Sequence, residues 1–173
     1  MKKLFFLIIV ITLFSFNMCY ARNLETDELT MGGLPLGSTQ EFVRSVYGNP
    51  ISEQPIHDAY TGTCVVWKYS DTLHIIFRDG YLDGVITTAD NGFRTPAGAF
   101  VGMPVYKHKA MYGDPLNYYR DKKVAGKGML YYRTTLNRNI GMRFDFEGGK
   151  ITKIGEDLYL IEAEKEDLEI CYR

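Results

Sequence analysis

The sequence predicts an α+β fold of two tandem repeats, each a short helix packed on an antiparallel β-meander, with the two meanders able to run on as one sheet. Three observations carry this. Gly37, Tyr47 and Pro50 recur as Gly102, Tyr112 and Pro115, each 65 positions later. Each copy is followed by an aromatic-rich strand pattern closing on a glycine turn, Asp79-Gly80 in the first and Gly148-Gly149 in the second. One short helix on a small sheet is marginal alone, whereas two copies side by side share a core.

The first copy reads as follows. Residues 22–30 (RNLETDELT) are a polar, frayed lead, and Met31 to Leu36 is extended. Ser38 with Glu41 three residues on is a capping-box arrangement before an apolar pattern. Phe42, Val43 and Val46 then define one face of a short helix, which Gly48 stops and Pro50 cannot continue. Ile51 to Gly62, with Pro55 inside it, reads as a loop. Thr63–Tyr69, Thr72–Arg78 and Tyr81–Thr88 read as strands at hairpin spacing, because Asp-Gly is a strong two-residue turn signal. In the middle strand Leu73, Ile75 and Phe77 alternate with Thr72, His74, Ile76 and Arg78, which places His74 on the wetter face.

The second copy repeats that order. Ala89 to Pro96 links the copies, Pro104 suits a first helical position, and Val105 to Tyr112 forms the helix. Leu116–Arg120, Met129–Thr135, Ile140–Phe146 and Lys150–Ile154 read as strands, with Asp121 to Gly128 a polar loop. This gives a first repeat over residues 22–90, a second over 91–155, and an acidic tail over 156–173, in which Leu158 and Leu160 alternate as an added edge strand would.

The start of the chain carries a secretory signal pattern. Lys2 and Lys3 precede an apolar run from Leu4 to Phe16, and Ala21 stands before Arg22. The run is shorter than the roughly 20 residues a bilayer span needs. The expectation is export to the periplasm or the exterior with cleavage after Ala21, a retained anchor being the other reading. Phe16-Asn17-Met18 is a poor lead for a lipidated Cys19. Cys64 and Cys171 then remain; they can form one disulfide in an oxidising compartment, or stay as two separate thiols.

Charge is segmented. Residues 22–90 carry −6, residues 91–154 carry +8 and residues 155–173 carry −5. One reading is internal compensation, with the acidic tail folded over the basic copy. The other makes Lys107, Lys109, Arg120, Lys122, Lys123 and Lys127 an anionic docking face, for an acidic protein loop, an anionic lipid or an envelope polymer. Export makes nucleic acid an unsuitable partner.

The chemistry of known catalysts is sparse. His57, His74 and His108 are not at metal-ligand spacing from one another or from the cysteines, so no metal or other cofactor is expected. Asp79 to Gly84 resembles a calcium loop only faintly, and hairpin turns explain both Asp-Gly pairs. Cys64 lies mid-strand, where inert packing is the common fate. No phosphate loop and no nucleophile elbow occur. A non-catalytic protein is expected, a thiol-dependent enzyme being the weakest reading. Tyr131-Tyr132 aligns with Trp67-Lys68-Tyr69; adjacent strand residues face opposite ways, so one of Tyr131 and Tyr132 should be exposed, as should one of Tyr118 and Tyr119. Trp67, Tyr69, Tyr131 and Tyr132 are therefore the candidates for an aromatic contact strip.

A helix ending in Tyr-Gly-x-Pro, then Trp-x-Tyr, a Phe-x-Asp-Gly turn and a Val-Ile strand resembles the β-lactamase-inhibitor-protein-like repeat, a unit also found singly in envelope-assembly lipoproteins of the BamE (SmpA/OmlA) type. The first copy matches through Gly37, Tyr47, Gly48, Pro50, Trp67, Tyr69, Phe77, Asp79 and Gly80. The second matches through Gly102, Tyr112, Gly113, Pro115, Tyr132, Phe144 or Phe146, and Gly148. The resemblance implies a tandem unit whose sheet forms a concave, aromatic-lined protein-binding face. It does not imply β-lactamase as target, since no inhibitory loop is recognisable, and the acylated cysteine of the lipoproteins is missing. The expected function is thus an exported, non-catalytic module binding an envelope or secreted protein through an aromatic sheet face with a basic rim. The alternative is an envelope-assembly or structural module docking on an anionic membrane or polymer.

Overall fold

The structure, a computed structural model, describes residues 22–58, 62–134, 140–156 and 168–170. The signal segment, Leu158, Leu160 and Cys171 lie outside the described residues. Among the described residues the chain is α+β, two helices on a large antiparallel sheet. A short hairpin, β1 (Thr30–Met31) and β2 (Leu34–Pro35), precedes helix α1 (Gln40–Tyr47). The first meander is β3 (Ser52–Asp58), β4 (Gly62–Ser70), β5 (Leu73–Arg78) and β6 (Tyr81–Thr87). Helix α2 (Val105–Tyr112) opens the second, β7 (Asn117–Asp121), β8 (Gly128–Arg133), β9 (Gly141–Glu147) and β10 (Lys150–Glu156). A last strand, β11 (Leu168–Ile170), completes a sheet of order β11-β7-β8-β9-β10-β6-β5-β4-β3.

The halves meet at β6 and β10. Counted from the second residue of each turn, Gly80 and Gly149, Ile86 and Gly155 are equivalent residues, and the register sets them opposite each other. An equivalent pair facing itself across an antiparallel seam is what a two-fold relation between the halves requires. The turns match too. Asp79 (φ 52°) and Gly80 (φ 85°) correspond to Gly148 (φ 58°) and Gly149 (φ 77°), the left-handed pair of a tight hairpin turn.

Each helix is anchored in the same way. Gly37 N–H donates to Leu82 O at 2.8 Å and Leu82 N–H to Ser38 O at 2.7 Å; in the second copy Gly102 N–H donates to Ile151 O and Ile151 N–H to Met103 O, at 2.7 and 2.9 Å. The last helical turns close on Gly48 and Gly113, whose N–H groups donate to Arg44 O and Lys109 O. Val43 and His108, one on each helix, are fully buried in a single core with Trp67, Ile75, Phe77, Leu130, Tyr132 and Phe144. Both helices therefore cover one face of the sheet.

Four expectations change. Residues 52–58 form strand β3 rather than a loop, paired with β4 from Ser52↔Lys68 to Asp58↔Gly62. Pro55 is tolerated because β3 is the edge strand and the proline nitrogen faces away from β4. That orientation follows from Thr88 N–H donating to Thr72 O. With the registers of β5·β6, β4·β5 and β3·β4, the alternation turns the main-chain groups of Glu53, Pro55 and His57 outward. Second, Thr39 caps α1, accepting from Phe42 N–H at 3.2 Å, while Ser38 Oγ donates to Pro35 O instead. Pro104 likewise stands at the cap of α2, not inside it. Third, α1 buries Val43 and half-buries Tyr47, and Phe42 and Val46 are 43% and 49% exposed. Fourth, the polar lead is seated, with Leu24 fully buried and its N–H donating to Arg133 O at 2.7 Å.

Candidate binding surfaces

The predicted aromatic strip is part of the core. Trp67 is fully buried on β4, 4.3 Å from the Phe77 ring, with the Arg44 guanidinium 4.1 Å over its own ring. Tyr69 faces the same way, two residues on; its hydroxyl donates to Gly48 O at 2.9 Å, and burial raises its pKa. Tyr132 repeats this bond in the second copy, donating to Gly113 O at 2.9 Å, and its burial pushes the phenol far up. Each tyrosine satisfies a carbonyl at the end of its helix, so both act as staples between helix and sheet. Tyr131 lies on the opposite face of the sheet, buried with Tyr119 and Met129. Alternation across adjacent strand residues therefore holds, but both Tyr131 and Tyr132 are covered. Trp67, Tyr69, Tyr131 and Tyr132 do not form an exposed strip, because three of them share the helix-covered face and the fourth lies on the other, also covered.

The basic residues divide into two groups. Lys109 and Arg120 flank the Tyr118 ring, at 5.3 and 5.4 Å from its centroid, and Lys109 Nζ is 3.7 Å from Asp114. Lys122, Lys123 and Lys127 are exposed on the turn between β7 and β8. Asp121 sits at the root of that turn, accepting from the amides of Lys123 and Val124 at 2.7 and 2.9 Å, and those bonds hold its carboxyl below the ordinary value. Lys107 is exposed on α2.

The surface that sequence reasoning left without a role is the uncovered face of the first copy. The registers place Gln54, Val66, Ile76 and Gly84 in one row across β3 to β6. The neighbouring row is Ser52, Lys68, His74 and Ile86, and on the other side Ile56 pairs with Cys64. Val66, Ile76 and Ile86 are half-buried and Ile56 is 46% exposed. Glycine at 84 leaves a step beside Ile76. Around this apolar centre stand Lys68, paired with Asp71, His74, and Arg78, which reaches Asp83 at 3.0 Å. The signal for it was present in the sequence, as the outward set of the β5 alternation. The same face of the second copy is covered instead: Met129, Tyr131 and Arg143 are at most 7% exposed, where the first copy has Val66, Lys68 and His74.

Cys64 is half-buried on β4, and Cys171, its candidate disulfide partner, lies outside the described residues. Among the described residues no three His, Cys, Asp or Glu side chains lie close enough to hold a metal ion, and no helix is long and apolar enough to cross a membrane.

Comparison with solved structures places the fold. The chain is similar to an extracellular protein containing an SCP domain from Bacillus anthracis, with 8% identity and a TM-score of 0.51 over 80% of this chain and 49% of that one. It is also similar to a cysteine-rich secretory protein from Staphylococcus aureus, with 13% identity and a TM-score of 0.52 over 87% of this chain and 54% of that one. The chain thus spans about half the length of each. A candidate β-lactamase inhibitor protein from Streptococcus mutans overlaps 79% of this chain and 91% of its own at 14% identity, but a TM-score of 0.31 is too low to assign a shared fold. No family model and no curated protein matches the chain.

Proposed function

We propose that the protein is an exported, non-catalytic module that binds another protein on the uncovered sheet face of its first copy. The observation that carries this is the contrast between the halves: Met129, Tyr131 and Arg143 are buried on this face of the second copy, while the equivalent face of the first keeps an apolar centre of Ile56, Val66, Ile76 and Ile86 half open. An apolar centre inside a polar rim is the anatomy of a protein–protein interface. Lys68 and Arg78 each have an acidic partner, so the rim is nearly neutral and the docking should resist salt. Export rests on the leader pattern of residues 1–21, and the two solved proteins that share the fold are themselves described as extracellular and secretory.

A second reading makes the basic turn the contact, for an anionic lipid or polymer; the exposure of Lys122, Lys123 and Lys127 on one turn favours it. The two separate in one experiment. The chain from Arg22 onward is used to capture partners from envelope and secreted fractions at low and high salt, beside Ile76→Glu and a Lys122→Glu/Lys123→Glu pair. A salt-resistant partner lost only with Ile76→Glu supports the sheet face. Retention that survives Ile76→Glu but fails in high salt or with the lysine pair overturns it in favour of the basic turn.

A further inference from the structure

We infer that the end of the second copy where α2 begins docks on an anionic bilayer, its lysines facing the lipid phosphates and its Tyr106 and Val124 entering the interface. This surface includes the lysines of the β7–β8 turn and is separate from the open sheet face of the first copy.

The fold gathers it from three places. α2 starts beside the β9–β10 turn: Pro104 bridges Lys150, and Val105 N–H donates to Gly149 O at 2.9 Å. Gly128, the first residue of β8, pairs with Phe146 near the end of β9, so the β7–β8 and β9–β10 turns project from the same end of the sheet. Strands β7 to β10 are neighbours in order, which puts the two turns about 10 Å apart across the sheet. Their charges therefore act together, since the Debye length at moderate salt is about 10 Å.

Lys107 in the first turn of α2, Lys150 at the start of β10, and Lys122, Lys123 and Lys127 on the β7–β8 turn are all exposed. Among the described residues Lys107, Lys122 and Lys150 have no ion-pair partner. The acids of this end are Asp121 and Glu147. The Asp121 carboxylate is half-buried, bonded to the amides of Lys123 and Val124 and 4.0 Å from Lys127 Nζ, while Glu147 is exposed. The end is thus strongly positive.

The two-fold relation shows that the fold does not require these lysines. The bridge between Thr39 and Tyr81 is the first copy's counterpart of that between Pro104 and Lys150. Tyr106, Lys107 and Lys150 therefore stand where the first copy has Glu41, Phe42 and Tyr81, and the same joint forms there without a lysine.

Charge alone would suit any polyanion; the exposed apolar groups among the lysines select a bilayer. Tyr106, 71% exposed, is adjacent to Lys107, and Val124, 40% exposed, lies between Lys123 and Lys127. At a bilayer surface a tyrosine ring settles at headgroup level and an aliphatic tip reaches the acyl boundary, while lysines meet the anionic headgroups. A soluble polymer offers no such apolar layer.

The test uses the chain from Arg22 onward, free of the apolar leader, and co-sedimentation with vesicles of phosphatidylglycerol and phosphatidylcholine in equal parts, or of phosphatidylcholine alone. The expected result is binding to the anionic vesicles only, weakening as salt rises. Lys107→Gln/Lys150→Gln should bind about 25-fold more weakly, at about fivefold for each lysine near an anionic surface. Tyr106→Ser/Val124→Ser should bind the vesicles several-fold more weakly while its retention on immobilised polyphosphate stays the same. Tyr81→Gln, at the first copy's counterpart of Lys150, should bind as the unaltered chain does. No binding to anionic vesicles at low salt, or undiminished binding by a Lys107→Gln/Lys150→Gln protein, would overturn the inference. A Tyr106→Ser/Val124→Ser protein that binds vesicles as the unaltered chain does would overturn it in favour of a soluble polyanion. The vesicles carry no protein, so failure here is distinct from failure of the sheet face to capture a partner.

Discussion

The two copies use the same joints and differ in what fills them. In both, a glycine opens the helix, a second glycine ends it, a strand tyrosine caps its last carbonyl, and a left-handed two-residue turn returns the meander. Between those joints the core diverges. Val43 in the first copy becomes His108 in the second, and Trp67 becomes Leu130. His108 is buried with neither ring nitrogen hydrogen-bonded, inside a box of Tyr112, Tyr132 and Phe144 at 4.9, 5.5 and 4.1 Å. The first copy thus centres on an indole against Val43, Ile75 and Phe77, and the second on an imidazole boxed by Tyr112, Tyr132 and Phe144. Backbone joints specify the unit, and core chemistry can be exchanged inside it as long as volume is kept.

The largest expected effect lies at the indole. Trp67→Ala should cost about 3–5 kcal/mol, and Leu130→Ala about 2–5, in urea unfolding monitored by circular dichroism. A Trp67→Ala protein of unchanged stability that fails to capture its partner would return Trp67 to the contact surface and break the comparison. Next comes the imidazole. Burial, helped by Lys109, lowers the His108 pKa from 6.5 to about 4. Between those values the unfolded chain takes up a proton that the folded chain refuses, so stability falls as pH drops through that window, by up to about 3 kcal/mol. His108→Val, which installs the first copy's residue, should flatten the profile over that range; an unchanged slope would show that other groups govern it. The smallest effect separates the staples. Tyr132→Phe removes the bond to Gly113 O from a fully buried side chain and should cost about 1–3 kcal/mol, whereas Tyr69→Phe, at a half-exposed side chain, should cost about 0.5–1.5. Equal losses would mean that the burial of the tyrosine side chain does not set the strength of its bond.

Most of the architecture was legible because it is written in residues with few conformational options. Gly48-Asn49-Pro50 and Gly113-Asp114-Pro115 mark the helix ends, and Asp79-Gly80 marks a turn, through local sterics alone. The strand β3 was missed for the same reason: Pro55 signals a break unless its nitrogen faces outward, which only the sheet order reveals. The binding surfaces were less legible. Alternation separated the two faces of β5 and of β8, but which face is covered depends on where distant strands and helices pack. So Trp67 and Tyr132, plausible contacts by type, turned out to be core, and the Val66–Ile76 face went unassigned. The basic residues crowd the second copy by sequence position alone, and only the fold divides Lys109 and Arg120 around Tyr118 from the lysines of the β7–β8 turn.

The seam at Ile86 and Gly155 carries a consequence for assembly. Each half ends in a strand whose edge is complementary to its own counterpart, so the halves are joined as the subunits of a symmetric dimer are joined. The connection between β6 and α2 makes that docking intramolecular, raising each half's effective concentration for the other to the millimolar range that a short tether provides. A half released from its tether would meet the other only at its bulk concentration, and its seam strand would be open to the matching strand of any other copy.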